Sequence, residues 1–330
     1  MGTWESPECG CGRPSPSLDQ YPAVDPELAG SLADTLDSLS DRFEPRSYLQ
    51  VAPMTTFTHA ENAFQEPFKV ILFSHDTEYG PAALAAGCTA LVVDWECHDK
   101  ERRQAGCNTE INRVGPDSLS QMRKATRGRL ICRINNMPSS RRAETRIAAD
   151  LGADEILLPM VRSLSEVEEC LDVLQGRIPL GVQVETQEGL QMGEELRRLP
   201  LSRVYIGLND LYIDRGRNGH LFTPLVDGSL DTFRKIFSGP LGVAGITVPN
   251  RGEPVPQRLL LAAMARLECG FGVARRAFRK DVPITSLAIV LEQIQETYAA
   301  LRLRPIQQIP LDREALDRRI QELLPEASLI

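Results

Sequence analysis

The 330-residue chain contains no run of about 18 uncharged apolar residues, the length a helix needs to cross a bilayer. Its first residues, Met1-Gly-Thr-Trp-Glu-Ser-Pro-Glu8, have neither a basic start nor an apolar core, so no signal peptide is expected. Positive charge is also in deficit. The 37 Lys and Arg against 45 Asp and Glu give a net charge of −8. This argues against nucleic acid or membrane as the main partner, because binding phosphate backbones or anionic lipid needs surplus cations. A cytoplasmic location is expected. The eight cysteines lack metal-ligand spacing. Cys88, Cys97, Cys107, Cys132, Cys170 and Cys269 are scattered through strand and helix patterns, as expected of buried free thiols in a reducing compartment. Cys9 and Cys11 form only half a zinc site with no second pair nearby. No Gly-x-Gly-x-x-Gly follows the first strand-like run, which removes the dinucleotide-binding signature. No lysine stands at a strand end, which disfavours a Schiff-base mechanism.

What is present is 42% hydrophobic and 25% charged residues, an ordinary globular mixture with ample material for a large core. Residues 1–45 hold Pro7, Pro14, Pro16, Pro22 and Pro26 among Ser, Gly and Asp and read as an N-terminal extension. From Lys69 a theme repeats at about 30 residues: a short apolar run, a polar loop, a helical stretch. The strand-like runs begin at Val70, Ala90, Leu130, Glu155, Leu180, Val204, Leu241 and Gly270. Helical patterns follow, as at Ser140–Leu151, Ser165–Leu174, Ser229–Phe237, Pro256–Leu267 and Ser286–Leu301. Eight such units predict an α/β chain folded as a (β/α)8 TIM barrel over residues 46–303. A C-terminal helical tail occupies 304–330, with a further helix expected over Asp312–Leu324.

In such a barrel the reacting groups stand at the C-terminal ends of the strands. Two runs there end in carboxylates, Gly181-Val-Gln-Val-Glu185 and Tyr205-Ile-Gly-Leu-Asn-Asp210. Glu185 and Asp210 are 25 positions apart, with the helical segment Gly189–Leu201 between them, so they belong to one β–α–β unit. A right-handed crossover brings two such strand ends together. Either carboxylate alone also reads as a helix cap or a solvated loop residue. Together they form an all-oxygen site suited to Mg²⁺ or Mn²⁺. Arg133, within Ile131-Cys-Arg-Ile-Asn135, is a charge among apolar neighbours and needs an anion, either a ligand or an internal ion-pair partner. A metal on a ketone and an arginine facing the same oxygen would stabilise a developing enolate, the requirement of a metal-dependent aldolase. His75, after the first strand, is a candidate base beside the second.

Five segments resemble the HpcH/HpaI aldolases and the related citrate lyase β-subunit group of the phosphoenolpyruvate/pyruvate-binding barrels. They are Val92-Val-Asp-Trp-Glu96, Cys132-Arg-Ile-Asn135, Leu157-Leu-Pro-Met-Val161 with Ser165-Glu-Val-Glu168, Val182-Gln-Val-Glu-Thr186 and Ile206-Gly-Leu-Asn-Asp-Leu211. The resemblance implies that Glu185 and Asp210 are divalent-metal ligands, that Arg133 contacts the pyruvate or enolate oxygen, and that Glu96 is an acid beside metal-bound water. In the aldolase branch a histidine directly follows that acid; here Cys97 follows and His98 comes one position later.

The sequence thus leads to a metal-dependent lyase acting on a pyruvate-like 2-oxo acid and an aldehyde or acyl acceptor, with Glu96 and His98 or His75 managing the proton. Related barrels pack a last helix on a neighbouring subunit, so a homo-oligomer is expected. A citryl- or malyl-CoA-type thioester lyase would use the same metal site, and a non-catalytic barrel binding a 2-oxo acid is the alternative outside enzymes. Two loops suit a cover over the site. One is Asp214–Pro224, and the other is Val248–Pro256, which with Arg275 and Arg276 is placed to take a second substrate's carboxylate or phosphate.

Overall fold

The structure, a computed structural model, describes residues 66–97, 115–249, 254–275 and 277–324. The N-terminal extension, Cys9, Cys11, His98, Cys107 and Arg276 lie outside the described residues. Eight parallel strands close into a barrel in sequence order. They are β1 (Lys69–Phe73), β2 (Ala90–Asp94), β3 (Leu130–Arg133), β4 (Glu155–Leu158), β5 (Leu180–Val184), β6 (Leu201–Ile206), β7 (Leu241–Ile246) and β8 (Phe271–Ala274). Pairing of Lys69 with Phe271 and of Ile71 with Val273 seals the ring. The expected (β/α)8 barrel is therefore what forms, with strands starting or ending within three residues of the apolar runs.

Period-two alternation sorts each strand between two cores. Ile71, Val92, Ile131, Leu157, Tyr205, Phe271 and Val273 fill the barrel, while Val70, Leu91, Leu130, Ile156, Val182, Val204 and Val243 face the helical shell. Both sets are buried, which is why the strands read as continuous apolar runs. The same alternation carries polar side chains into the barrel at its two ends: Glu155 and Arg203 at the start of their strands, and Asp94, Arg133 and Gln183 near the finish. A bulge in β7 shifts the register between Ala244 and Ile246. Gly245 occupies it at φ +115, a conformation that needs glycine.

Two elements differ from the sequence expectation. The stretch between β5 and β6 is two short helices, α5 (Gln187–Gln191) and α6 (Gly193–Arg197), hinged at Met192. Gly189 and Gly193 lie at close approaches, where a Cβ would stand 2.9 Å from the Val161 carbonyl oxygen and 3.1 Å from Ile236 respectively. The apolar spacing was helical, but two glycines in so short a segment weaken it. The C-terminal helix begins earlier than Asp312, at Gln308, with Pro310 in its first turn, where no N–H is required. This helix (Gln308–Glu322) packs on helix Gln257–Arg266 of its own barrel and buries Leu316 and Ile320 in the shared core. Asp312 fastens it, accepting from Arg258 at 2.9 Å and pairing with Arg304 at 3.0 Å.

Cys88, Cys132, Cys170 and Cys269 are buried free thiols, as expected, whereas Cys97 is exposed on the loop after β2. Burial pushes the Cys88 and Cys269 thiols up to about 12.

Candidate metal and enolate site

The last inward positions of β2, β3 and β5 build the site. Asp94 is in register with Arg133 across β2 and β3. The two side chains meet as a fork, Nε to Oδ1 at 2.8 Å and Nη2 to Oδ2 at 2.7 Å. Glu96 stands 3.1 Å from Nη1, and the same nitrogen donates to Gln183 Oε1 at 3.1 Å. Beneath lies the Phe73 ring, 4.8 Å from the guanidinium carbon. Burial works against the charge on Arg133, but the fields of Asp94 and Glu96 and the Asp94 hydrogen bond outweigh it and hold its pKa well above the ordinary arginine range. The internal ion-pair partner that the sequence allowed for Arg133 is Asp94, with Glu96 beside it.

Gln183 carries the network onward. Its Nε2 donates to Glu185 Oε2 at 2.7 Å. The other oxygen, Oε1, accepts from the Met160 backbone N–H at 3.0 Å. Met160 adopts φ +51, a left-handed conformation that costs a non-glycine residue roughly 1–2 kcal/mol. It is held there by Asn136 Nδ2, which donates to its carbonyl at 3.2 Å. The strained turn at the end of β4 thus serves to aim an N–H at Glu185, the kind of use to which backbone strain at functional sites is put.

Glu185 is 1% exposed, and its carboxylate lies against Gly207, where a Cβ would be 2.3 Å from Oε2. Three residues on, Asp210 is 8% exposed in the first turn of α7 (Leu208–Asp214), just past the strand end at which the sequence placed it. A carboxylate in a first helical turn is favoured by the helix field, so local structure and site geometry agree here. Asn135 steadies the loop bearing Glu96: it donates to the Trp95 carbonyl at 3.0 Å and accepts from the Cys97 N–H at 2.9 Å.

The structure therefore brings Arg133, Glu96 and Glu185 into one hydrogen-bonded cluster and sets Asp210 just after the neighbouring strand. His75 is exposed on the loop after β1, outside that cluster. Sequence reasoning passed over Gln183 and the pairing role of Asp94. Each is two positions before a residue it did select, Glu185 and Glu96, and strand alternation puts such residues on one face.

Four buried carboxylates, Asp94, Glu96, Glu185 and Asp210, share this end of the barrel. Among the described residues the buried arginines are Arg133 and Arg141, and Arg141 lies on a helix paired with Glu169. The four carboxylates are oxygen donors alone, a set that fits a hard divalent cation. No group of three or more His, Cys, Asp or Glu is placed to hold a metal among the described residues. A cation here would thus rest on Glu185 and Asp210 and leave positions open.

The chain is similar in fold to HpcH/HpaI aldolases. A family protein of the HpcH/HpaI aldolase/citrate lyase type from Burkholderia cenocepacia superposes with TM-score 0.48 at 13% identity, covering 73% of this chain and 97% of that one. The HpcH/HpaI aldolase of Desulfitobacterium hafniense gives 0.48 at 15%, covering 70% and 93%. The citrate synthase SbnG gives 0.47 at 15%, covering 69% and 94%. No protein-family model and no curated protein sequence matches the chain. What the site does rests on its own residues.

Proposed function

We propose that the protein is a divalent-metal-dependent carbon–carbon lyase that forms a pyruvate-type enolate and exchanges it with an aldehyde or acyl acceptor. The observation that carries this reading is the convergence of four buried carboxylates and Arg133 at the barrel end where loops are free to build a site. Glu185 and Asp210 are the ligands for Mg²⁺ or Mn²⁺. A bound divalent cation supplies Lewis-acid stabilisation of negative charge on a ketone oxygen. Arg133 adds a fixed positive charge: Asp94 grips Nε and Nη2 and sets the plane of the guanidinium, with Nη1 held between Glu96 and Gln183. Such preorganised donors are typically worth about 10²–10³ in rate. Glu96 is the nearest acid to hold the proton, and His75 and His98 are the candidate bases. We place the enzyme in the cytoplasm as a homo-oligomer, an assembly that light scattering reads directly.

Proton NMR of pyruvate in D₂O tests the chemistry without an acceptor. Loss of the methyl signal that needs both protein and Mg²⁺ or Mn²⁺ supports enolate formation. No exchange with any metal removes pyruvate as the enolate source and turns attention to CoA thioesters.

A further inference from the structure

Where β7 and β8 end, two polar side chains converge on Thr247, itself 2% exposed. The Thr247 N–H donates to Gln257 Oε1 at 2.9 Å, and its hydroxyl accepts from Arg275 Nη2 at 2.7 Å. Gln257 is 2% exposed, and its amide nitrogen, with two N–H donors, is buried with no hydrogen-bond partner. An unsatisfied buried amide is costly and calls for an explanation. Gln257 is also the first residue of a ten-residue helix, Gln257–Arg266, whose first turn carries no acidic residue to offset its positive end. Arg275 is half-buried, and burial lowers its pKa against the opposing field of Asp281. A positive helix end, an unused amide donor and a guanidinium therefore meet at one corner, on the same barrel face as Glu185 and Asp210.

We propose that the Thr247 corner is an oxyanion site, with Gln257 Nε2 and Arg275 donating, that holds the carboxylate or phosphate of the second substrate. The acceptor role rests on the lyase reading above; the oxyanion site itself does not. A cationic fork beside a helix N-terminus is suited to either group, because both present oxygens that accept several N–H bonds at once. Arg275, the half-buried member of the corner, is the side from which the anion enters. An acceptor bearing such a group would be held one to two strands beyond Asp210, leaving its reactive carbon free to meet the enolate.

Calorimetric titration of the full chain with inorganic phosphate and, separately, with acetate tests the site. We expect saturable one-to-one binding of at least one anion, weakened about tenfold or more by Arg275→Gln and by Gln257→Glu. Arg275→Lys should retain most of it. Gln257→Glu keeps the acceptor for the Thr247 N–H, so the corner stays folded while the donor is lost; an unchanged melting temperature checks this. Whichever anion binds more tightly identifies the acceptor group. No saturable binding of either anion, or binding that survives both variants unchanged, overturns the proposal. Pyruvate methyl exchange by the unaltered protein separates the two readings. Anion binding without exchange upholds the site and removes pyruvate as the enolate source, whereas exchange without anion binding upholds enolate formation and removes the site.

Discussion

The two ends of the barrel bury carboxylates in opposite company. At the floor, where strands begin, Glu155 is fully buried and meets Arg203 through Nε at 2.6 Å and Nη2 at 2.8 Å, Arg129 at 2.9 Å and the Ser202 hydroxyl at 2.7 Å. Two guanidiniums surround one carboxylate, and Arg203 also covers the Phe271 ring at 4.9 Å. At the opposite end, Arg133 faces Asp94 and Glu96 and extends through Gln183 to Glu185, with Asp210 beyond. Each end makes room for its carboxylate with a glycine, Gly181 below and Gly207 above. The floor satisfies its acid with protein cations and so serves stability. The upper end instead gathers four buried carboxylates around Arg133, an oxygen-rich arrangement at the barrel end where sites are built.

Neutralising an acid at each end should therefore have opposite consequences. Glu185→Gln removes the proposed metal ligand and is expected to lower metal-dependent pyruvate exchange by more than about a hundredfold, beyond what loss of an outer-shell partner does. It should cost stability only about 1–3 kcal/mol, because the new amide N–H then faces the Met160 or Gln183 donor that Glu185 accepts from. Glu155→Leu strands Arg203 and Arg129 and is expected to cost about 3–5 kcal/mol in urea unfolding, with activity per folded molecule unchanged. If Glu155→Leu abolished exchange, or Glu185→Gln unfolded the chain, the division of labour between the ends would be wrong.

How much of this was legible in the sequence follows from the reach of each signal. The barrel was, because eight apolar runs at an even period leave few other folds and parallel pairing adds no surprises. Glu185 was legible for a local reason: it follows a strand directly. Asp210 was found by the same rule, although it sits in a helix; Gly207 and the first turn of α7 were too short to show a helical period. Arg133 was recognised as a charge needing an anion, but its partner is set by cross-strand register with Asp94, 39 residues away in sequence. No spacing within one segment encodes that. The hinge at Met192 escaped because hydrophobic periodicity does not register a glycine's close approach to a neighbouring backbone. His98 and Cys107 fall outside the described residues.

The two glycines sharpen the comparison at smaller cost. Gly207 has φ −91 and ψ 101, which alanine adopts without strain, so Gly207→Ala acts through its methyl group alone. That methyl would stand 2.3 Å from Glu185 Oε2 and 2.8 Å from Gln183 Nε2, forcing both aside. We expect Mn²⁺ affinity and exchange to fall about 10–100-fold with overpacking costing about 1–3 kcal/mol. Gly181→Ala presses on Glu155 Oε1 at 2.9 Å and Arg203 Cγ at 3.0 Å. It should carry a similar stability cost and leave Mn²⁺ affinity intact. Equal losses of affinity from both would mean that Gly207 matters for packing and not for aiming Glu185.

The smallest effect concerns the loop that follows α7. His220 Nδ1 accepts from the Phe222 N–H at 3.3 Å, and the Thr223 hydroxyl accepts from the His220 N–H at 2.9 Å. Arg215 and Asp227 join the loop's two ends at 2.7 Å. Burial holds the His220 pKa below its ordinary 6.5. The opened loop therefore binds a proton more readily than the closed one, so the histidine's contribution to closure is present above about pH 6.5 and lost as pH falls through the depressed folded value. Protonation also removes the acceptor that Phe222 uses. Amide exchange at Phe222, corrected for its intrinsic pH dependence, should accelerate a few-fold on acidification below that range, and His220→Asn should flatten the response. Protection that stays constant down to pH 5 would show that the buried Phe222 and Leu225 side chains, and not the imidazole, hold this loop against the end of the barrel that carries Asp210.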